Sequence, residues 1–186
     1  MRSLTGLIAA LLVLPLLATP LPVLADPYTD TAAIDELFGE LRIADSEAEA
    51  DDISRQIWSY WFAPSVPELA TRMSVANNYL AEGNFERSLA ELTSVVEDFP
   101  DYAEGWNQRA TLYYMLGNFE ASLADIAMVL AIEPRHYGAL SGRVLIYLKQ
   151  GKHDEALKDM RAALALHPYL SERRLFPELA QDVTRV

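Results

Sequence analysis

The sequence predicts an all-α chain that stacks helix pairs into a short superhelix. Three observations predict it. Identical residues recur at a fixed offset of 34 in three copies. A glycine falls in the middle of each copy and a proline near its end, and the apolar residues between them follow helical rather than strand spacing. The length of 186 residues allows one modest unit with an appendage.

Residues 1–25 read as a signal peptide. Arg2 is their only charge, the run from Leu7 to Leu17 is apolar, and prolines at 15, 20 and 22 interrupt the rest. Val23 and Ala25 stand three and one residues before a cut after Ala25. The competing reading is an uncleaved anchor, because Gly6 to Ala25 approaches the length a bilayer needs; the three prolines and the cleavage pattern weigh against it. The chain is therefore expected to be exported into the periplasm of a Gram-negative bacterium, with no stable membrane insertion after cleavage. It has no cysteine, which excludes disulfides, thiolate metal sites, a cysteine nucleophile and a lipoprotein anchor.

Residues 26–62 read as a helical cap of two helices. Ile34, Leu37, Phe38 and Leu41 make one apolar stripe, and Ser46 with Glu49 forms a capping box ahead of Ile53, Ile57, Trp58 and Trp61. The cluster of Trp58, Tyr60, Trp61 and Phe62 is expected to cover the open end of the stack, with a partner-docking patch as the alternative. Ser65, Pro67 and Glu68 then mark the start of the first repeat.

The repeats occupy 63–170. Gly83, Gly117 and Gly151 fall in register, as do Pro100, Pro134 and Pro168; Tyr79, Tyr113 and Tyr147; and Leu89, Leu123 and Leu157. Each glycine can take the left-handed conformation that ends a first helix, and each proline stops a second one. A lone pair of helices could not bury its apolar face, so the copies must stack. Contacts between neighbouring copies then hold the fold without disulfide staples.

These residues resemble the tetratricopeptide repeat, whose motif has Tyr at position 11, Gly at 15, Pro at 32, small residues at 8 and 20 and an aromatic near the start. Copies numbered from Leu69, Ala103 and Tyr137 span 69–102, 103–136 and 137–170. Position 8 is Ala76, Ala110 and Val144; position 4 is Arg72, Trp106 and Leu140. The departures at position 4 in the outer copies, and at Val144, suggest looser packing there. The two acidic-aromatic helices before three repeats are also similar to periplasmic tetratricopeptide proteins of alphaproteobacteria associated with envelope integrity, mainly through Ile57-Trp58 and Glu104-Gly105-Trp106 to Ala110.

Residues 171–186 are expected to form a solvating C-terminal capping helix, kinked or restarted at Pro177. The formal charge of −12 argues against nucleic-acid binding in bulk. Residues 26–62 hold 10 acids and 2 bases, residues 63–134 hold 11 and 3, and residues 135–186 hold 6 and 9, so the chain is polarised toward a basic C-terminal end. A solvated face is the plain account of that end, and a docking surface the alternative.

Nothing in the sequence points to catalysis. The three histidines, His136, His153 and His167, read as turn or packing residues, and none of the common nucleotide-binding, metalloprotease or hydrolase motifs occurs. No metal, cofactor or catalytic residue is expected. Binding is the better prospect. The resemblance implies that positions 2, 5, 9, 12 and 13 of each first helix line a concave groove, from which we take Met73, Asn77, Leu80, Asn107, Thr111, Tyr114, Met115, Ser141, Leu145 and Leu148 as candidate peptide-contacting residues. The basic clamp by which chaperone-binding relatives hold a C-terminal carboxylate is absent, because its positions carry Met73, Gly138 and Gly142; only Asn77 remains of it. The expected function is that of a non-enzymatic adaptor holding a peptide or helix of an envelope protein. The alternative is a structural or self-associating protein, possible as a homo-oligomer, whose groove is filled by its own segment 31–42.

Overall fold

The computed structural model describes residues 26–179, and the expected signal peptide lies outside them. The described residues contain eight α-helices and no strand. α1 spans Thr31–Leu41 and α2 Glu47–Phe62. The repeats follow as α3 (Pro67–Ala81) with α4 (Phe85–Asp98), α5 (Ala103–Met115) with α6 (Phe119–Ile132), and α7 (Tyr137–Lys149) with α8 (His153–Leu166). This is the all-α stack of three helix pairs that the spacing predicts.

The local chemistry repeats with the sequence. Gly83, Gly117 and Gly151 have φ of 74°, 76° and 71°, where a side chain would be strained. The next residue starts the second helix. Asn84 and Asn118 accept hydrogen bonds from the backbone N–H of Arg87 and Ala121, whereas Lys152 gives α8 no side-chain cap. Ser88 and Ser122, at the small position 20, donate to the carbonyls of Ala76 and Ala110 at 2.9 and 2.8 Å, tying the two helices of a pair together. In the third copy Ala156 and Val144 replace this bond with apolar contact, both fully buried.

A second register element is an ion pair across each helix pair. Arg109 is bidentate to Asp125, both bonds 2.8 Å, and 34 residues later Arg143 grips Asp159 at 2.6 and 2.8 Å. The first copy has Val75 where the others have arginine. Arg72 at position 4 takes over, bonding Glu91, Ser94 and Asp98 while lying 5.8 Å from the Phe99 ring centroid. The looser packing expected at position 4 and at Val144 is therefore not found. Arg72 brings its own network, and Leu140 and Val144 are buried in the third-repeat core.

The aromatic cluster does not cover the outer end of the stack. α1 and α2 pack on each other through Ile34, Phe38, Leu41, Ile53, Ile57 and Trp61, and this core is continuous with Tyr137, Tyr169 and Leu170 at the third repeat. Trp61 stacks on His136 at 4.1 Å, and Trp58 meets His136 and Tyr137 edge-on. Tyr60 and Phe62 are left exposed. The physical reason is fit: Gly138 leaves room for the Trp58 indole at the start of α7, and the His136 ring gives Trp61 a flat face to stack on.

The C-terminal segment also differs from expectation. Instead of one solvating helix, the described part forms two 3-10 turns, Ser171–Leu175 and Pro177–Leu179. Pro177 lacks the N–H that a continuous helix needs, and Phe176 and Leu179 are pulled into the third-repeat core. Several bases of this end are structural: Arg135 binds both Glu133 and, at 2.5 Å, Asp35 of α1.

Candidate binding groove

The groove is built from the first helices of the second and third repeats, α5 and α7, with α2 laid across their N-terminal ends. Two polar contacts fix α2 there. Ser54 Oγ and Tyr137 Oη are 2.7 Å apart and buried, and Tyr102 Oη donates to the carbonyl of Trp61 at 2.7 Å. A Cβ on Gly138 would lie 2.7 Å from the Trp58 ring, so the absence of a side chain there admits the indole.

Beneath the indoles is a buried polar knot. His136 caps α7: its Nδ1 accepts the Ala139 N–H at 3.1 Å, which places the ring proton of the neutral imidazole on Nε2. Nε2 lies 3.2 Å from Glu104 Oε2, which also accepts from Asn107 Nδ2 at 2.9 Å. Glu104 and His136 are almost wholly buried. With each other, Asn107 and a backbone amide as partners, they are explained by structure, as the histidines were expected to be. His167 likewise takes the Tyr169 N–H on Nδ1, and burial pushes its pKa down, keeping it neutral.

Between α2 and the central parts of α5 and α7 lies a cavity of about 520 Å³. It brings together five of the ten candidate residues, Asn107, Thr111, Tyr114, Ser141 and Leu145. The other five lie elsewhere. Met73 is buried in the first-repeat core, against which Leu80 packs; Leu148 packs against the third-repeat core; Asn77 and Met115 are exposed outside the cavity. For Met73 and Leu148 the reason is the apolar side chains beside them: Met73 joins Leu69, Ala76 and Leu92, and Leu148 packs on the cluster that holds Val144, Met160 and Phe176.

Sequence reasoning missed the residues that close the cavity: Asp51, Ser54 and Trp58 from α2, and His167, Leu170 and Glu172 from the C-terminal turn. The groove positions do not include them: Asp51, Ser54, Trp58 and Glu172 come from outside the repeats, and His167 and Leu170 from the end of the third copy, beyond its first helix. Ser141 Oγ is the one buried side-chain polar atom among the described residues with no hydrogen-bond partner. No group of three or more His, Asp or Glu among the described residues could hold a metal ion, and no helix there is long and apolar enough to cross a membrane.

The half of the groove at positions 34, 1 and 2 is thus filled by α2, while positions 5 and 9 of the second and third copies, with Tyr114 at position 12 of the second, line the cavity. α2, rather than the segment 31–42 considered from sequence, supplies the internal occupant.

Similarity to known proteins follows this architecture. The family model of the tetratricopeptide repeat matches residues 76–135 and 117–171. Among solved structures, the first tetratricopeptide domain of Spaghetti (RPAP3), bound to the HSP90 peptide SRMEEVD, superposes with a TM-score of 0.57 at 21% identity, covering 62% of this chain and 93% of that one. The second such domain, bound to the same peptide, gives 0.52 at 21% identity over 54% and 94%. A tetratricopeptide repeat protein from Parabacteroides merdae gives 0.54 at 20% identity over 83% and 67%. At these identities the likeness is one of fold. No curated protein matches the chain. Since the family model spans more than half of the sequence, the chain belongs to the tetratricopeptide repeat family.

Proposed function

We propose that the chain is a non-enzymatic adaptor of the bacterial periplasm that holds a segment of an envelope protein in the open half of its groove. The observation that carries this reading is the cavity of about 520 Å³ between α2, α5 and α7, whose wall mixes Leu145, Ile126 and Tyr114 with Asn107, Thr111 and Ser141. Such a wall suits an apolar side chain flanked by backbone groups in need of partners. Peptide binding by the similarly folded Spaghetti domains supports the choice of a peptide ligand. Export rests on the composition of residues 1–25.

The test is site-specific photocrosslinking in cells, with a photoreactive residue at Thr111 in the groove and, as control, at exposed Glu120 on α6. The expected result is one envelope protein crosslinked from Thr111 and absent from Glu120, with the chain in the periplasmic fraction shortened to begin at Asp26. Identical adducts at both positions, or none from Thr111, refute the groove; a cytoplasmic, unshortened chain refutes export. A self-associating protein is the second reading, favoured by α2 already filling half the groove, and adducts to a second copy of the chain would establish it.

A further inference from the structure

We infer that Asp26-Pro27-Tyr28 is a latch that signal-peptide cleavage completes: the α-ammonium freed at Asp26 pairs with the buried carboxylate of the same residue and fastens this strap to the first and second repeats. This rests on the cut after Ala25 proposed above and adds what that cut does to the fold.

The strap is docked by contacts far apart in sequence. Asp26 is 7% exposed, and its carboxylate accepts from the Tyr28 N–H at 2.8 Å and from the Ala103 N–H, at the start of α5, at 3.3 Å. The Tyr28 carbonyl accepts from the Ser65 N–H at 2.8 Å, just ahead of α3. The Tyr28 ring meets Phe99 and Tyr102 edge-on and packs on the first-repeat core. Tyr102 in turn donates to the carbonyl of Trp61 at the end of α2. The residue that the cut makes terminal is therefore held where α2 and the first two repeats meet.

The charges around it are acidic. Burial pushes the Asp26 carboxyl up to about 6, and the charge of Glu133 acts in the same direction. Arg135 is engaged by Glu133 and Asp35, and Glu104 is held by Asn107 and His136. Burial, with Glu104 and Asp26 adding to it, keeps the Tyr102 hydroxyl neutral. Hydrolysis of the Ala25–Asp26 amide by a signal peptidase consumes one water, leaves a carboxylate on Ala25 and an amine on Asp26, and that amine takes a proton at neutral pH. A neutral amide is thereby replaced by a cation in the residue whose carboxylate is buried. The two charges lie close in the unfolded chain as well, but water screens them there; at the lower dielectric of the folded chain the same pair attracts more strongly. The precursor carries a costly buried acid, and the processed chain carries an ion pair.

The test prepares the chain from residue 26 to residue 186 with its α-amine free or acetylated, each as the parent and as Asp26→Asn. At pH 7 the free amine should raise the melting midpoint of the parent by about 2–4 °C over the acetylated form, and the gain should vanish in Asp26→Asn. In the folded parent the α-amine, followed by its NMR shift, should titrate about one pH unit above the same group in the peptide Asp-Pro-Tyr-Thr. Equal midpoints for the free and acetylated parent, an equal gain in Asp26→Asn, or an unshifted amine overturns the latch and leaves the cut standing. Should Asp26→Asn fail to fold, the amine titration decides alone. Sequencing the N-terminus of the exported chain tests the cut separately, and a start other than Asp26 overturns the role of cleavage.

Discussion

Gly138→Ala should loosen the packing of the N-terminal helix pair on the repeats. Gly138 is the second residue of α7, an ordinary helical position at which alanine is preferred by up to about 1 kcal/mol. The added Cβ, however, would stand 2.7 and 2.8 Å from Cη2 and Cζ2 of Trp58. Carbon atoms pack best at about 3.5–4.0 Å, so the indole must retreat by about 1 Å. It has little room, being wedged edge-on against Trp61, His136 and Tyr137 and stacked on Phe62. Overpacking by one methyl costs about 1–3 kcal/mol, so the helix gain is outweighed and a net loss of about 1–2 kcal/mol remains. For a chain of this length that is a fall in melting midpoint of about 2–8 °C. Gly142→Ala is the matched control, because its Cβ would meet Ile126 Cδ1 at 3.7 Å, an ordinary contact, and should stabilise by about 0.5–1 kcal/mol. The two variants should therefore shift the midpoint in opposite directions, and only Gly138→Ala should weaken the near-ultraviolet circular dichroism of the indole cluster. If both raise the midpoint equally, Trp58 does not need the glycine and the docking of α2 described above is wrong.

Three further outcomes follow from the same geometry. Lys152→Asn should stabilise the chain by about 1 kcal/mol in urea titration, since it restores to α8 the side-chain cap that α4 and α6 possess. Arg109→Met should cost about 3 kcal/mol because it strands the nearly buried Asp125 carboxylate, and adding Asp125→Leu should recover much of the loss. Burial pushes the Asp26 carboxyl up to about 6, although it accepts from the backbone N–H of Tyr28 and Ala103. The acid is therefore favoured in its neutral form by folding, and the stability this contributes is complete below about pH 4 and lost as pH rises through about 6. With the peptide bond to Ala25 intact, Asp26→Asn should be more stable than the parent above pH 6, and that advantage should vanish below about pH 4.

What could be read from the sequence was what repeats. The glycines, the prolines and the small residues at positions 8 and 20 act within one helix pair or between adjacent pairs, so a 34-residue offset exposes them. The groove was half legible. Asn107, Thr111, Tyr114, Ser141 and Leu145 stand at the groove positions that the family resemblance implies and line the cavity, whereas Met73 and Leu148 share such positions but are drawn into core by their particular neighbours. The docking of α2 was not legible, because the bond that best defines it joins Ser54 to Tyr137 across 83 residues with no period linking them. A faint signal existed: glycine at position 2 of the third copy opposite a chain segment with two tryptophans. Arg72 shows the converse error. Judged against the motif it is a misfit, but it stands in for the arginine that the first copy lacks at Val75.

The placement of α2 also explains why the repeats differ from one another where the motif leaves them free. Position 2 is Glu104 in one copy and Gly138 in the next, and both suit the same neighbour. Gly138 admits Trp58, while Glu104 bonds the His136 ring on which Trp61 stacks. The carboxylate, the imidazole and the indole thus form a continuous column from the second repeat to α2. Position 5 carries no such obligation toward α2: Asn107 bonds Glu104 with one end of its amide, and the Ser141 hydroxyl has no hydrogen-bond partner. Residues committed to the chain's own helix and residues left uncommitted fall on either side of one line across the groove. A groove that served only to seat α2 would close around it. A cavity remains instead between Asp51, Ser54 and Trp58 of α2 on one side and Asn107, Thr111 and Tyr114 of α5 on the other, and that space is the physical reason to regard the helix pair as one wall of the open half of the groove.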